Sequence, residues 1–212
     1  DVELVIDPVL TWHTFMGSSG RNVGKGIAVD TNGDVFIIGT SDAIWGSPVN
    51  GHAGDTDAFI AKLNGTTGSL IWHTFMGAAA SDRGIGIAVN SSDDIFIVGH
   101  SDASWGSPVN GHAGEKDVFV AKVNGASGII AWNTFLGSAG TDIGNGISVE
   151  SNGDVVISGQ SDASWGTPVN DHAGEGDALA AKINGTTGVL IWHTFLGSIG
   201  DEHGYGIAVD SK

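Results

Sequence analysis

Four segments of this chain carry the same alternation of large apolar and polar residues, and they recur 60 residues apart. The first, Trp12 to Gly17, reads Trp-His-Thr-Phe-Met-Gly, and the pattern returns at Trp72, Trp132 and Trp192. An unvarying period of this length means an array of equal structural units. Take Gly26 to Gly77 as one unit. Ile27-Ala28-Val29 predicts a short strand of small residues, strand A. Asp30-Thr31-Asn32-Gly33 predicts a tight turn, because Asn-Gly readily supplies positive φ. Asp34 to Gly39 holds the continuous apolar run of Val35 to Ile38, as expected of a strand B buried on both faces. A long loop, Thr40 to Thr56, leads to strand C, Asp57 to Leu63. The turn Asn64-Gly65-Thr66-Thr67-Gly68 then leads to strand D, Leu70 to Met76. Its alternation puts Trp72, Thr74 and Met76 on one face and Ile71, His73 and Phe75 on the other.

No segment shows helical periodicity with caps. The pattern therefore predicts an all-β chain, a β-propeller built from 60-residue four-stranded antiparallel blades. Three complete blades, 26–77, 86–137 and 146–197, and terminal strands in 1–17 and 206–210 form a single domain, 1–212. A β-solenoid competes, but its short period and parallel rungs fit the Asn-Gly hairpins less well. Val2 to Ile6 resembles a strand C, Leu10 to Met16 a strand D, and Gly206 to Asp210 a strand A. These ends are expected to pair with each other or with a second copy of the chain. Four blades in one chain, eight in a dimer and a longer array all stay open.

Composition narrows the partners. The 35 glycines recur at fixed places in each unit, which is turn chemistry rather than low complexity. Hydrophobic residues make up 41% of the chain, enough for a core, yet no apolar run has the length of a membrane span, so insertion is not expected. Eight Lys+Arg against 24 Asp+Glu give a net charge of −16. That balance repels nucleic acid and anionic membranes and favours cations or basic protein surfaces. Without cysteine there is no thiol chemistry and no thiolate metal site. The chain begins at Asp1 and shows no signal peptide, so it reads as a mature form or an excised piece.

Taken together, four stretches resemble the SBBP-type β-propeller repeat. They are Leu4-Val5-Ile6-Asp7-Pro8, the Trp-x-Thr-Phe-Met/Leu-Gly strand, the stretch Gly26 to Gly39, and Asp57-Ala58-Phe59-Ile60-Ala61-Lys62-Leu63-Asn64. The resemblance implies the propeller fold and a secreted or surface protein of bacteria or archaea. It implies no particular activity. The chain departs from the family after strand B, where Trp45 to Gly54 stands in place of the family's Phe-Pro-containing stretch.

That loop holds the sharpest candidate site. Ser41 to Gly54 returns at 101–114 with one change, Ile44 to Ser104, and at 161–174 with Thr167 and Asp171 added. Strand B drifts over the same copies, although loops ordinarily drift faster than cores. Trp45, Asn50, His52 and Asp57 are expected to meet on one rim, as are Trp105, Asn110, His112 and Asp117, and Trp165, Asn170, His172 and Asp177. An exposed indole with Asn, His and Asp around it suits a glycan or protein ligand, held multivalently. On the alternative reading Trp45 plugs the blade while His52 and Asp57 pin the loop, and the chain is a structural or self-assembly module. Asp30, Asn32 and Asp34 begin like a calcium loop, although the bidentate Glu of such loops is missing. Every candidate catalytic group recurs three or four times, which argues against an enzyme, and no cofactor other than calcium is indicated. The expected location is extracellular or at the cell surface.

Overall fold

The computed structural model describes residues 9–210, and the described residues hold twelve strands in three sheets and no helix. In the first sheet β1 (Asn22–Val29), β2 (Val35–Ser41), β3 (Asp57–Leu63) and β4 (Leu70–Met76) lie side by side in chain order, all antiparallel. The second repeats this with β5 (Asp82–Val89), β6 (Asp94–Ser101), β7 (Asp117–Asn124) and β8 (Ile130–Leu136). The third does so with β9 (Asp142–Val149), β10 (Val155–Ser161), β11 (Asp177–Ile183) and β12 (Leu190–Leu196). Strands C and D begin and end where the alternation placed them. Strand A is longer than the three apolar residues that announced it. Gly24 and Gly26 have no side chain to show in a hydrophobic pattern, but their backbone still pairs with β2, around a bulge at Lys25.

The turns follow from side-chain chemistry. Asn64 Oδ1 accepts the amides of Thr66 and Thr67, and Gly68 closes the turn at a φ of 70°. In the turn between strands A and B, Gly33 and Gly153 adopt φ of 82° and 87°. The second copy puts Asp93 at that point, with a φ of 59° that costs a side-chain-bearing residue about 1–2 kcal/mol. Its carboxylate earns that back across the blade junction, accepting the amide of Thr31 at 3.0 Å and its hydroxyl at 2.9 Å.

The core lies between blades. Trp72 and Met76 leave their own sheet to pack with Ile95, Ile97 and Phe119 of the next one. The Trp72 ring lies over Gly128, where a Cβ would come within 2.8 Å of it, and its Nε1 donates to the Gly125 carbonyl at 3.2 Å. Trp132 repeats this bond to Gly185 at 3.3 Å, and Trp12 makes it to Gly65 at 2.9 Å. The invariant tryptophan is therefore the bolt between successive blades, and residues 9–17 dock on the first sheet as a preceding strand D would. At the other end the Gly204 amide donates to the Gly159 carbonyl, and Gly206 approaches Gly146 where Ile85 and Ile87 approach Gly26. Residues 9–17 and 203–210 carry no strand pairing among the described residues. The expected pairing of the ends falls on residues 1–6, outside the described residues.

Candidate functional site

The loop between strands B and C turns back on its own blade. The Val49 amide donates to the His73 carbonyl at 2.8 Å, and the Phe75 amide donates to the Asn50 carbonyl at 3.0 Å. The loop thereby covers the outer edge of β4, a place where a bare strand would invite pairing with another chain. The same two bonds recur at Val109 and Asn110 on β8, and at Val169 and Asn170 on β12.

Side chains complete the brace. Trp45 stacks on His73 with ring centroids 3.8 Å apart and planes 5° apart, while Phe59 and Phe75 meet it edge-on. His73 Nε2 donates to the Trp45 carbonyl at 2.7 Å. A carbonyl only accepts, so that nitrogen carries the proton. Burial pushes the His73 pKa down, against the opposing pull of that carbonyl. Trp165 and His193 repeat the stack at 3.8 Å, and in the middle blade the Asn133 amide donates to the Trp105 carbonyl instead. Trp45 and Trp105 are each only 7% exposed, and Trp165 is half-buried. The open stacking faces expected of Trp45 and Trp105 are thus absent, because strand D supplies the partner that a sugar ring was expected to be.

The other loop residues are engaged likewise. Nε2 of His52, His112 and His172 sits 3.0 Å from the carbonyls of Ser41, Ser101 and Ser161, respectively. Asp57, Asp117 and Asp177 are fully buried and accept the amides of Ala53, Ala113 and Ala173. Asn50 and Asn110 donate to the carbonyls of Phe75 and Phe135, whereas Asn170 donates to the Thr194 hydroxyl. Trp45, His52 and Asp57 are therefore braces within one blade. Of the four in the first blade, Asn50 lines a groove that it shares with Trp105 of the next blade, as Asn110 does with Trp165.

The turn residues proposed for calcium are occupied by a cation of the protein itself. Lys62 Nζ lies 3.0 Å from Asp30 Oδ2 and 3.2 Å from Asp34 Oδ2. Asp30 Oδ1 meanwhile accepts the amides of Asn32 and Asp34, and the Asn32 side chain points to Asp93. Burial alone would raise the Asp30 pKa, but the Lys62 ammonium and those amides hold it below the usual range. Asp30, Asn32 and Asp34 consequently form an ion-paired turn rather than an oxygen cage. Among the described residues no group of three or more His, Cys, Asp or Glu is placed to hold a metal.

One cluster escaped the sequence reading. Asp82 begins strand A of the second blade and faces Asp57 across Gly77, where a Cβ would lie 2.6 Å from Asp82 Oδ2 and 2.8 Å from Asp57 Oδ1. Asp142 and Asp117 repeat the pair around Gly137, and Glu202 and Asp177 repeat it around Gly197. Asp82 accepts the Ala78 amide and the Ser101 hydroxyl, while Asp57 Oδ1 is buried without a partner. Burial pushes the Asp82 pKa up to about 6, beyond what its hydrogen bonds recover, and the charges of Asp57 and Asp102 add to the rise. The signal was an acid at 60-residue spacing, Asp82 and Asp142 at the head of the second and third strand A and Glu202 in the corresponding place after the third blade. Its partner stands 25 residues earlier, and only the fold joins them.

Each blade junction also opens a groove. The first, of about 580 Å³, is lined by Asn50 and Thr74 of one blade and by Trp105, Ser107, Ile129 and Trp132 of the next. The second, of about 630 Å³, has Asn110, Thr134, Trp165, Thr167, Val189 and Trp192 in the corresponding places. No charged side chain lines either groove.

No curated protein matches this chain. Residues 11–44, which take in the docking Trp12, β1 and β2, match the SBBP family, a β-propeller repeat, and the three sheets are blades in the manner of that repeat.

Proposed function

We propose that the chain is a structural and assembly module, a stack of propeller blades that supports or joins parts of a surface protein and performs no catalysis. One observation carries this reading: Trp45, His52 and Asp57, with their copies in the later blades, are spent on bonds inside the blade. Blade faces that expect a neighbour support it. Met76 and Leu136, covered by the following blade, are 0% and 1% exposed, whereas Leu196 at the same place in the third blade is 55% exposed. Trp192 is 37% exposed against 8% for Trp72. Such a face suits a further blade or a second copy of the chain. The extracellular location is inferred from the resemblance of the repeat and from the acidic surface.

The test is substitution of Trp45, Trp105 and Trp165 by Ala, singly and together. Each buried indole is worth on the order of 2–3 kcal/mol. The variants should therefore melt at progressively lower temperature, and the wild-type chain should self-associate in sedimentation through its apolar faces. Variants that keep the wild-type melting temperature but lose a binding partner would return the loops to the role of ligand site.

A further inference from the structure

The repeated loops are braces, but the junctions between blades hold polar groups that the protein itself leaves unsatisfied. Thr74 is 0% exposed and Thr134 is 1% exposed, each lines its groove, and neither hydroxyl has a hydrogen-bond partner. The third copy shows what happens where no further blade covers the strand. There the Thr194 hydroxyl accepts both the amide and the side-chain nitrogen of Asn170. At the two closed junctions the corresponding asparagine, Asn50 or Asn110, turns to a main-chain carbonyl of strand D and leaves the threonine unmet. The indole nitrogens of Trp45, Trp105 and Trp165 are all buried without partners, and Trp105 and Trp165 also line the same two grooves. An unpaired buried hydroxyl or indole N–H is costly, and proteins rarely repeat such a cost without something to meet it.

We propose that each blade junction is a binding site for one residue of a neutral saccharide, the threonine hydroxyl and the asparagine amide group meeting its hydroxyls. Three features of the grooves select this class. Their linings carry no charged side chain, which disfavours phosphate, carboxylate and ammonium ligands. Their volumes of about 580 and 630 Å³ hold a sugar ring with room for its linkage. Apolar side chains, Ile129 and Trp132 in one groove and Val189 and Trp192 in the other, stand beside the polar groups, and a pyranose presents the same mixture of C–H and hydroxyl faces. Two equivalent sites on one rigid arc also raise the avidity for a polymer without any new contact. The recognising residues are therefore Asn50, Thr74 and Trp105 at one junction and Asn110, Thr134 and Trp165 at the other.

The experiment is titration calorimetry of the whole chain with oligomers of glucose, mannose, galactose and N-acetylglucosamine. Polygalacturonate and an extended neutral peptide serve as comparators. NMR shifts of the Thr74 and Thr134 methyl groups are followed in parallel. Saturable binding of one neutral oligosaccharide at two sites per chain, with both methyl signals shifting, is the expected result. Thr74→Val keeps the shape and removes an unpartnered hydroxyl, so its melting temperature should equal or exceed that of the wild type. The same change should weaken the first site roughly tenfold, the value of one hydrogen bond, and leave the second untouched. Thr134→Val should do the reverse. Absence of binding by every neutral saccharide, affinity unchanged in both valine variants, or preference for the charged polymer or the peptide would each overturn the assignment.

Discussion

Replacing Asp82 by Asn should flatten the pH dependence of stability. Asp82 is fully buried and faces Asp57, another buried carboxylate. Its pKa rises from 3.8 to about 6, with burial the largest cause. The sign follows from proton counting. Between about pH 4 and pH 6 the folded protein holds a proton that the unfolded chain has released, so the folded state loses stability as pH rises through that window. Above pH 6 the loss is complete and constant. A rise of roughly two units sets its size at about 3 kcal/mol at most. Asn does not titrate, and this chain already carries an amide at the corresponding place in the first blade, where the Ser41 hydroxyl donates to Asn22 Oδ1 at 2.7 Å. In the variant the Ala78 amide meets a neutral amide oxygen, whose strength as an acceptor does not change with pH. The informative quantity is therefore the difference between pH values rather than stability at any one of them. His73 and His100, whose pKa values are lowered by burial, impose an opposite slope below about pH 6.5, but they do so in both proteins. Urea unfolding at pH 4.5 and pH 7.5, extrapolated to water, gives the two differences. Asp82→Asn should gain about 2 kcal/mol relative to the wild type on going from the lower to the higher pH, since pH 4.5 lies above the unfolded pKa and captures part of the full difference. Equal slopes for the two proteins would show that Asp82 is ionised throughout and that the burial argument is wrong.

Three further outcomes test the packing. Trp72→Ala should cost about 3–5 kcal/mol through the cavity it leaves over Gly128, whereas Trp192→Ala, at a face no blade covers, should cost about 1 kcal/mol, both read from urea midpoints. Lys62→Met should cost about 3–5 kcal/mol because it strands Asp30 without its cation, while Lys122→Met, whose partner Asp94 is more exposed, should cost about 1 kcal/mol or less; equal losses in thermal unfolding would refute the distinction. Asp93→Gly should be about 1 kcal/mol more stable than Asp93→Ala, since both lose the bonds to Thr31 but only Ala keeps a side chain at positive φ.

The blades were legible because strands C and D announce themselves in two independent ways. Their side chains alternate, and their connecting turn carries Asn64 and Gly68, each required by the local geometry. Strand A was legible only at Ile27 to Val29. Its first half is Asn22 to Gly26, where pairing uses backbone groups and a pattern of side chains has nothing to report. The tryptophan at the head of strand D was legible as a packed residue. That it bolts onto the following sheet was not, since the carbonyl it reaches lies 53 residues further along.

The site misled for a related reason, and the loops show why. A stretch that stays fixed while strand B drifts can be fixed by a ligand or by the blade, and the residue types are the same in both cases. Here the bonds of Val49, Asn50 and His52 run to backbone atoms of β2 and β4, which every blade presents in the same place whatever its side chains. A loop tied to backbone has no compensating change available, so it keeps its sequence. Strand B meets side chains and glycines of the neighbouring blade: Ile38 sits against Gly84, and Val98 against Gly144. Ser158 can stand in that position of the third blade because Gly204, beside it, likewise has no side chain to match. Invariance within the repeat therefore marks what is bonded to the common scaffold. The groups left free by that bonding, Thr74 and Thr134, lie on the faces where one blade meets the next. Both threonines belong to the repeated Trp-x-Thr-Phe strand, but no single repeat contains the groove around them, since Asn50 and Trp105 become neighbours only when two copies are laid side by side.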